Sequence, residues 1–552
     1  MCKGTVKLCL LHIGIILYFT NCNTVNNSNK VIFNYNETTN IQSLDPAFAK
    51  NQSNIWAVHQ LYNTLVQLDS NSTIVPSLAK EWVVSANRKQ ITFTLRKGIY
   101  FHPNIAFGKD STRQLVASDV VYSLQRIIDK KIASPGAWIF NGRVDTLQPF
   151  LAINDTTFQL NLIAPFQPIL GILSMQYCSI VPHEVVTATA TNFRRAACGT
   201  GPFMLEQWEE GQALTMIKNP HYFEQDNAGT NLPYIDGIKI TFFDSKATEF
   251  LKFKQHEIDF INDIDASFKD ELLSKKGNLR PVWQSLIKLN KHPYLNLEYM
   301  GILMDTANAL VRNSPLQNKL VRQAINYGFD RKKMMLYLRN SIGTSANSGA
   351  VPCGLPSFDS TKVKGYYYNP TLATKLLAQA GYSNGKGLPA IKVSTVPIYA
   401  DLASYIAKEL QNIGITLQVD VMQKALLIDK TSKCQVPLFR GSWIADYPDA
   451  ENYLSLFYSK NPAPPNYTRY NNPTYDKLYE TALLTTNNNL RYSLYQQLDA
   501  LMIADAPIIP LWYDEVIHLV QNNISGFKPN SLNLLELRYV KKLSLATLYL
   551  QK

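Results

Sequence analysis

Hydrophobic and polar positions along the chain alternate between two periods. In QITFTLRKGIYF, Ile91, Phe93 and Leu95 alternate with Thr92, Thr94 and Arg96, which predicts a half-buried strand ending at Gly98. ASDVVYSLQRIID follows with the helical period: Val120, Val121, Leu124, Ile127 and Ile128 share a face, and Ser118 is the expected N-cap. NPTLATKLLAQAGY predicts a helix capped by Asn369, with Pro370 at its first position, Leu372, Leu376 and Leu377 as its stripe and Gly381 as its stop. NPTYDKLYETALL repeats that grammar from Asn472 and Pro473. Between them DLASYIAKELQNIG reads as a helix leading into ITLQVDVM, where Ile415, Leu417, Val419 and Val421 alternate as a strand. Helix, glycine turn and strand together make an α/β unit. No repeat of fixed period runs through the chain.

At 552 residues the chain exceeds what one hydrophobic core usually serves, so two or three lobes are expected. The net charge of +12 raises nucleic acid or an anionic membrane as partners, but the basic residues are scattered, with short runs such as Arg331-Lys332-Lys333. A nucleic-acid footprint should cluster, so no nucleic-acid partner is expected.

The N-terminus changes the picture more. MCKGTVK carries two lysines and precedes LCLLHIGIILYF, an apolar run interrupted by one His. This is the n-region and h-region of a secretory signal, too short for the ~20 apolar residues of a membrane span. The run ends in FTNC, and Cys22 stands where a lipoprotein signal places its acylated cysteine, although Asn21 is larger than the usual preceding residue. Residues 1–21 are therefore expected as signal and 22–30 as a polar tether, with a plain cleaved signal as the alternative. Export implies an oxidising compartment. Cys178, Cys198, Cys353 and Cys434 remain beyond the signal, and Cys178–Cys198 is the local pairing to expect among three connectivities.

Catalytic and metal motifs fail. HEVVT at His183 has Thr187 where a zinc protease needs its second His. No nucleophile elbow occurs, CGTGPF lacks the glycines and lysine of a phosphate loop, and YSNGKG near Lys386 has the wrong spacing. No cysteine pair has zinc-knuckle spacing, so neither metal nor cofactor is expected. Gly201-Pro202 reads as a turn feeding the strand FMLEQW. RGSWIADYPDAENYL, residues 440–454, concentrates Arg440, Trp443, Asp446, Asp449 and Glu451 behind an apolar lead-in. By residue type it fits a glycosidase acid pair, a ligand clamp or a solvated loop.

Eight segments between residues 43 and 454 resemble, in order, the extracytoplasmic oligopeptide-binding proteins, the solute-binding components of ABC peptide importers. They are SLDP, LYNTLVQLDSNSTIVPSLAKEW, ITFTLRKGIYFH, ASDVVYSLQRI, GTGPF, VRQAINYGFDRKKM, GYYYNPTLATKLLAQAGY and WIADYPDAENYL. The resemblance implies an α/β clamshell of two lobes with an extra domain inserted in the first. Lobe I would comprise 31–62, 186–286 and 516–552, the inserted domain 63–185, and lobe III 287–515. It implies a monomer without catalysis, lipid-anchored outside the cytoplasmic membrane, which delivers short peptides to the membrane permease subunits. Asp446 of the W-x-A-D motif would pair with the peptide ammonium, and Arg440 with a carboxylate. Ser442 and Ile444 would pair by backbone with the peptide, and Trp443 would complete the site. Asp449-Ala450 departs from the family's usual Asp/Glu-Pro. Relatives carrying metal chelates, haem or sugars alter the amine-binding Asp, so a non-peptide solute is the first alternative and a secreted hydrolase the second.

Overall fold

The computed structural model describes residues 30–544. Cys22, the signal expected over 1–21 and most of the tether lie outside the described residues.

Two long strands organise the molecule. Ile287–Ile302 and Ile508–Gln521 pair antiparallel along most of their lengths, with a register shift between Pro293 and Leu297. On one side of that shift the sheet continues through Phe260–Asn262, Ile32–Asn36, Gly237–Thr241, Ala213–Lys218 and Phe203–Glu209. On the other it continues through Leu438–Ile444, Ile391–Thr395 and Leu417–Val421. The boundary expected at 515/516 falls inside one continuous strand. A separate antiparallel sheet contains Ala79–Val84, Gln90–Leu95, Thr157–Asn161 and Phe150–Asn154, in that order.

Burial follows the sequence pattern. Ile91, Phe93 and Leu95 are buried, as are Val120, Leu124 and Ile127. Asn369 and Asn472 cap their helices through side-chain oxygens, to Leu372 N at 3.0 Å and Thr474 N at 3.0 Å. Ser118 is not a cap. The helix begins at Ala117 because Asp119 reaches back to the Val116 N–H at 2.9 Å, and Arg113 holds that carboxylate in place. Gly201 is forced by packing: a Cβ there would stand 2.4 Å from the Leu61 carbonyl carbon. The turn it makes feeds the strand Phe203–Glu209, as read from the sequence.

One contiguous core joins the first strand, the separate sheet and the helix Ala117–Ile128, with Phe33, Trp56, Phe93 and Ile172 among its members. Two further cores flank the sheet formed by the later half, one around Tyr453, Leu498 and Met502, the other around Val321, Ile406 and Trp512. Helices on both faces of a mixed sheet make this an α/β fold. Cys178 and Cys198, expected as a disulfide, are separate buried thiols. Each points its sulfur at a different carbonyl, Ile172 at 3.5 Å and His102 at 3.3 Å, so their side chains do not converge.

Buried carboxylates predict how stability varies with pH. Burial and the neighbouring Glu249 push Glu37 up to about 8, against the pull of Lys246. Burial pushes Asp499 up to about 7, although the N–H groups of Ala350 and Val351 donate to it. Both groups keep a proton in the folded state that the unfolded chain has already released. Their contribution is present at acidic pH and is lost as pH rises through about 7 to 8. Glu536 behaves oppositely: burial raises it, but Arg538 and His59 outweigh this and hold it at about 2, so its contribution fades only below the ordinary carboxylate range. The thermal midpoint should therefore rise from pH 8 to pH 5.5, and Glu37→Gln should flatten the rise. Scanning calorimetry of both proteins checks this; a midpoint that falls over that interval contradicts it.

Candidate functional site

The strand Leu438–Ile444 carries the first third of the RGSWIADYPDAENYL stretch. It pairs antiparallel with Ile287–Ile302, Ile444 opposite Asn296 and Phe439 opposite Gly301. Gly441 is fitted to this pairing, since a Cβ there would meet the Tyr299 ring at 2.8 Å. Ala445 N donates to Leu295 O at 2.8 Å and Leu303 N to Pro437 O at 2.9 Å, which fixes the phase of the ladder. Odd-numbered residues from 437 to 445 thus turn their backbone groups toward Ile287–Ile302. Arg440, Ser442 and Ile444 turn theirs to the opposite edge. There the strand Ile391–Thr395 pairs in register only at Ser394–Phe439, and no described strand is in register on that side with residues 441–444. An open edge of this kind accepts an extended chain as an added strand.

Two cavities flank this edge and share Ile444. The larger, about 490 Å³, is lined by Arg440, Ser442 and Trp443 together with Glu298, Tyr399, Leu427 and Tyr467. The smaller, about 370 Å³, holds Asp446 and is walled from both halves of the chain, by Trp56, Trp138 and Tyr177 on one side and Tyr294 and Ala445 on the other.

The three acids of the stretch have separate surroundings. Glu451 is buried and accepts the hydroxyls of Tyr447 and Tyr479. Asp449 faces Arg491 at 3.5 Å and caps Glu451 N at 2.9 Å. Neither lines the two cavities beside Asp446, so the acids do not form a pair across a common space. Asp446 is half-buried, and among the described residues it forms no ion pair. Asn452 is its support, accepting from the Asp446 N–H and donating to its carboxylate, both at 3.2 Å. Trp443 Nε1 donates to the same Asn452 oxygen at 2.8 Å, so the tryptophan fixes the amide that fixes the acid. Burial raises the Asp446 carboxyl above its ordinary range, Asn452 lowers it, Glu451 raises it further and Arg143 lowers it through space. Burial and Asp446 in turn push the Tyr177 hydroxyl up to about 12.

Arg440 is not free. Its guanidinium pairs with Glu298, lies 3.7 Å from the centre of the Tyr399 ring, and keeps a buried Nε without a partner. Burial pushes the Glu298 carboxyl up to about 7, with Arg440 opposing and the nearby Asp514 reinforcing. Glu298, Tyr399 and Tyr177 escaped the sequence reading because they lie far from the motif along the chain.

Away from the cleft, Asp119, His183 and Glu184 converge. Arg113 occupies their middle, donating to Asp119 at 2.6 and 2.8 Å and to Glu184 at 2.6 and 2.7 Å. That guanidinium already neutralises the two carboxylates a metal would need.

A sheet crossed by two shared strands, with a cleft walled from both halves, defines a two-lobed solute-binding protein. The chain belongs to the bacterial extracellular solute-binding proteins, family 5, whose middle region matches residues 73–465. Among curated relatives it is 27% identical to Heme-binding protein A of Haemophilus influenzae, covering 85% of this chain and 84% of that one. It is 24% identical to the dipeptide-binding protein of Escherichia coli, covering 85% and 86%. Among solved structures, the periplasmic binding protein DppA of Helicobacter pylori in complex with the peptide STSA superposes with a TM-score of 0.73, at 23% identity over 93% of this chain and 98% of that one.

Proposed function

We propose that this protein binds short peptides outside the cytoplasmic membrane and delivers them to the permease of an ABC importer, without chemical change. The carrying observation is Asp446: a half-buried carboxylate without an ion-pair partner among the described residues, beside an unpaired strand edge. A buried charge is costly until paired, so the cleft is built to receive a cation. A peptide supplies an ammonium for Asp446 and a backbone for the edge at Ser442 and Ile444. Arg440 can meet the ligand's carboxylate only by sharing or leaving Glu298. The relative named for dipeptides and the solved complex with STSA support the reading. The test is native mass spectrometry of protein purified without refolding. Retained masses that fragment into amino-acid residues are expected, and a porphyrin, metal chelate or sugar mass would replace the peptide reading.

The same reading places the protein on the membrane through Cys22, with 22–30 as its tether. Wild type should partition into the detergent phase of a two-phase extraction. Cys22→Ser should release it to the aqueous phase or leave it unprocessed; identical partitioning with normal cleavage would refute acylation.

A further inference from the structure

Isolated exposed apolar side chains are ordinary on protein surfaces, but a cluster around one concavity is not. Ile398, Ile428 and Ile444 are 79%, 48% and 48% exposed, and all three line the larger cavity. Its inner wall is also apolar, with Val396, Leu427 and Phe439 buried there. The charged groups at its base are answered internally. Glu298 pairs with Arg440, and Asp514 with Arg339 at 2.9 Å. The Tyr399 ring lies against the Arg440 guanidinium. Lys424, exposed on the short helix Lys424–Ser432, is the remaining charged lining residue. The cavity therefore offers apolar surface and little net charge.

Position along the ligand follows from the strand. Ile444 is shared by both cavities, and Asp446 lies two residues beyond it. An extended peptide advances about 3.3 Å per residue. With its ammonium at Asp446, its third residue passes Ile444, two strand positions on, and its second lies one step before it. Resting on the peptide reading above, we infer that the larger cavity is a side-chain pocket that selects peptides with a bulky apolar residue at position 2 or 3. The isoleucines would then be covered by the ligand, rather than by the opposite half of the protein alone.

Calorimetry with Ala-Ala-Ala, Ala-Phe-Ala, Ala-Ala-Phe, Ala-Asp-Ala and Ala-Lys-Ala tests this. One of the two Phe peptides should bind about 10- to 100-fold tighter than Ala-Ala-Ala, the gain expected from burying a large apolar side chain. In the double variant Ile398→Ser/Ile428→Asn, at positions exposed enough to spare the fold, that Phe peptide should lose about tenfold more affinity than Ala-Ala-Ala. Equal affinities across the set, or tightest binding of the Asp or Lys peptide, would overturn the inference while leaving peptide binding intact. Equal losses for all peptides in the variant would also overturn it, since the isoleucines would then serve closure alone. If no peptide binds wild type, the peptide reading falls and this inference with it.

Discussion

Asp446→Ala should lower affinity for a free short peptide by about 10²- to 10³-fold, the equivalent of about 3–5 kcal/mol for stripping a buried ion of its partner. In this cleft the ligand's ammonium would face Asn452, whose amide group already serves Trp443 and the Asp446 backbone and carries no charge. Acetylating the peptide's N-terminus should weaken binding to wild type for the same reason. Both changes remove one contact, so together they should cost clearly less than their sum. Binding should also weaken in acid, because Asp446 must be ionised to hold an ammonium and burial keeps its carboxyl above the usual range. Calorimetry of free and acetylated tripeptides on both proteins reads all of these effects. If Asp446→Ala binds the free peptide as tightly as wild type, the ammonium is held elsewhere.

What the sequence revealed and what it hid have physical reasons. The strand Gln90–Leu95 and the helix Pro370–Gln379 were legible because alternation and an Asn-Pro cap are local signals that no tertiary contact overrides. Ser118 misled because its competitor for the helix start, Asp119, gains its authority from Arg113, an anchor that no helical pattern announces. Proximity in sequence likewise suggested Cys178–Cys198, yet burial points the two sulfurs at different backbone carbonyls. In the cleft, residue types alone left Asp446, Asp449 and Glu451 equivalent. Only the three-dimensional partners separate them: an arginine for Asp449, two tyrosines for Glu451 and a lone amide for Asp446. The ion pair between Arg440 and Glu298 spans 142 positions, a separation at which spacing carries no information.

The motif SLDP shows the converse, a short segment whose sequence signal is strong and whose role emerges only from the fold. Asp45 accepts the Ala47 N–H at 3.0 Å, capping the turn Pro46–Phe48. Its two oxygens also take both terminal nitrogens of Arg126, at 3.0 and 2.7 Å. Both residues are buried, and the Arg126 guanidinium lies 5.4 Å from the centre of the Phe193 ring. The pair fastens the segment before the helix Gln52–Leu61 to Ala117–Ile128, whose apolar face belongs to the core around Phe33 and Phe93. Asp45→Ala leaves a guanidinium buried with no counter-charge, so it should cost about 3–5 kcal/mol of stability. Adding Arg126→Met removes the stranded charge and fills its space with apolar atoms, so the double variant should recover a large part of that loss. Because the pair is out of solvent, the deficit of the single variant should change little with salt. Urea unfolding of the three proteins, followed by tryptophan fluorescence, measures the midpoints. An unchanged midpoint for Asp45→Ala would mean that Arg126 finds another partner, and strictly additive losses in the double variant would mean that the two residues act independently.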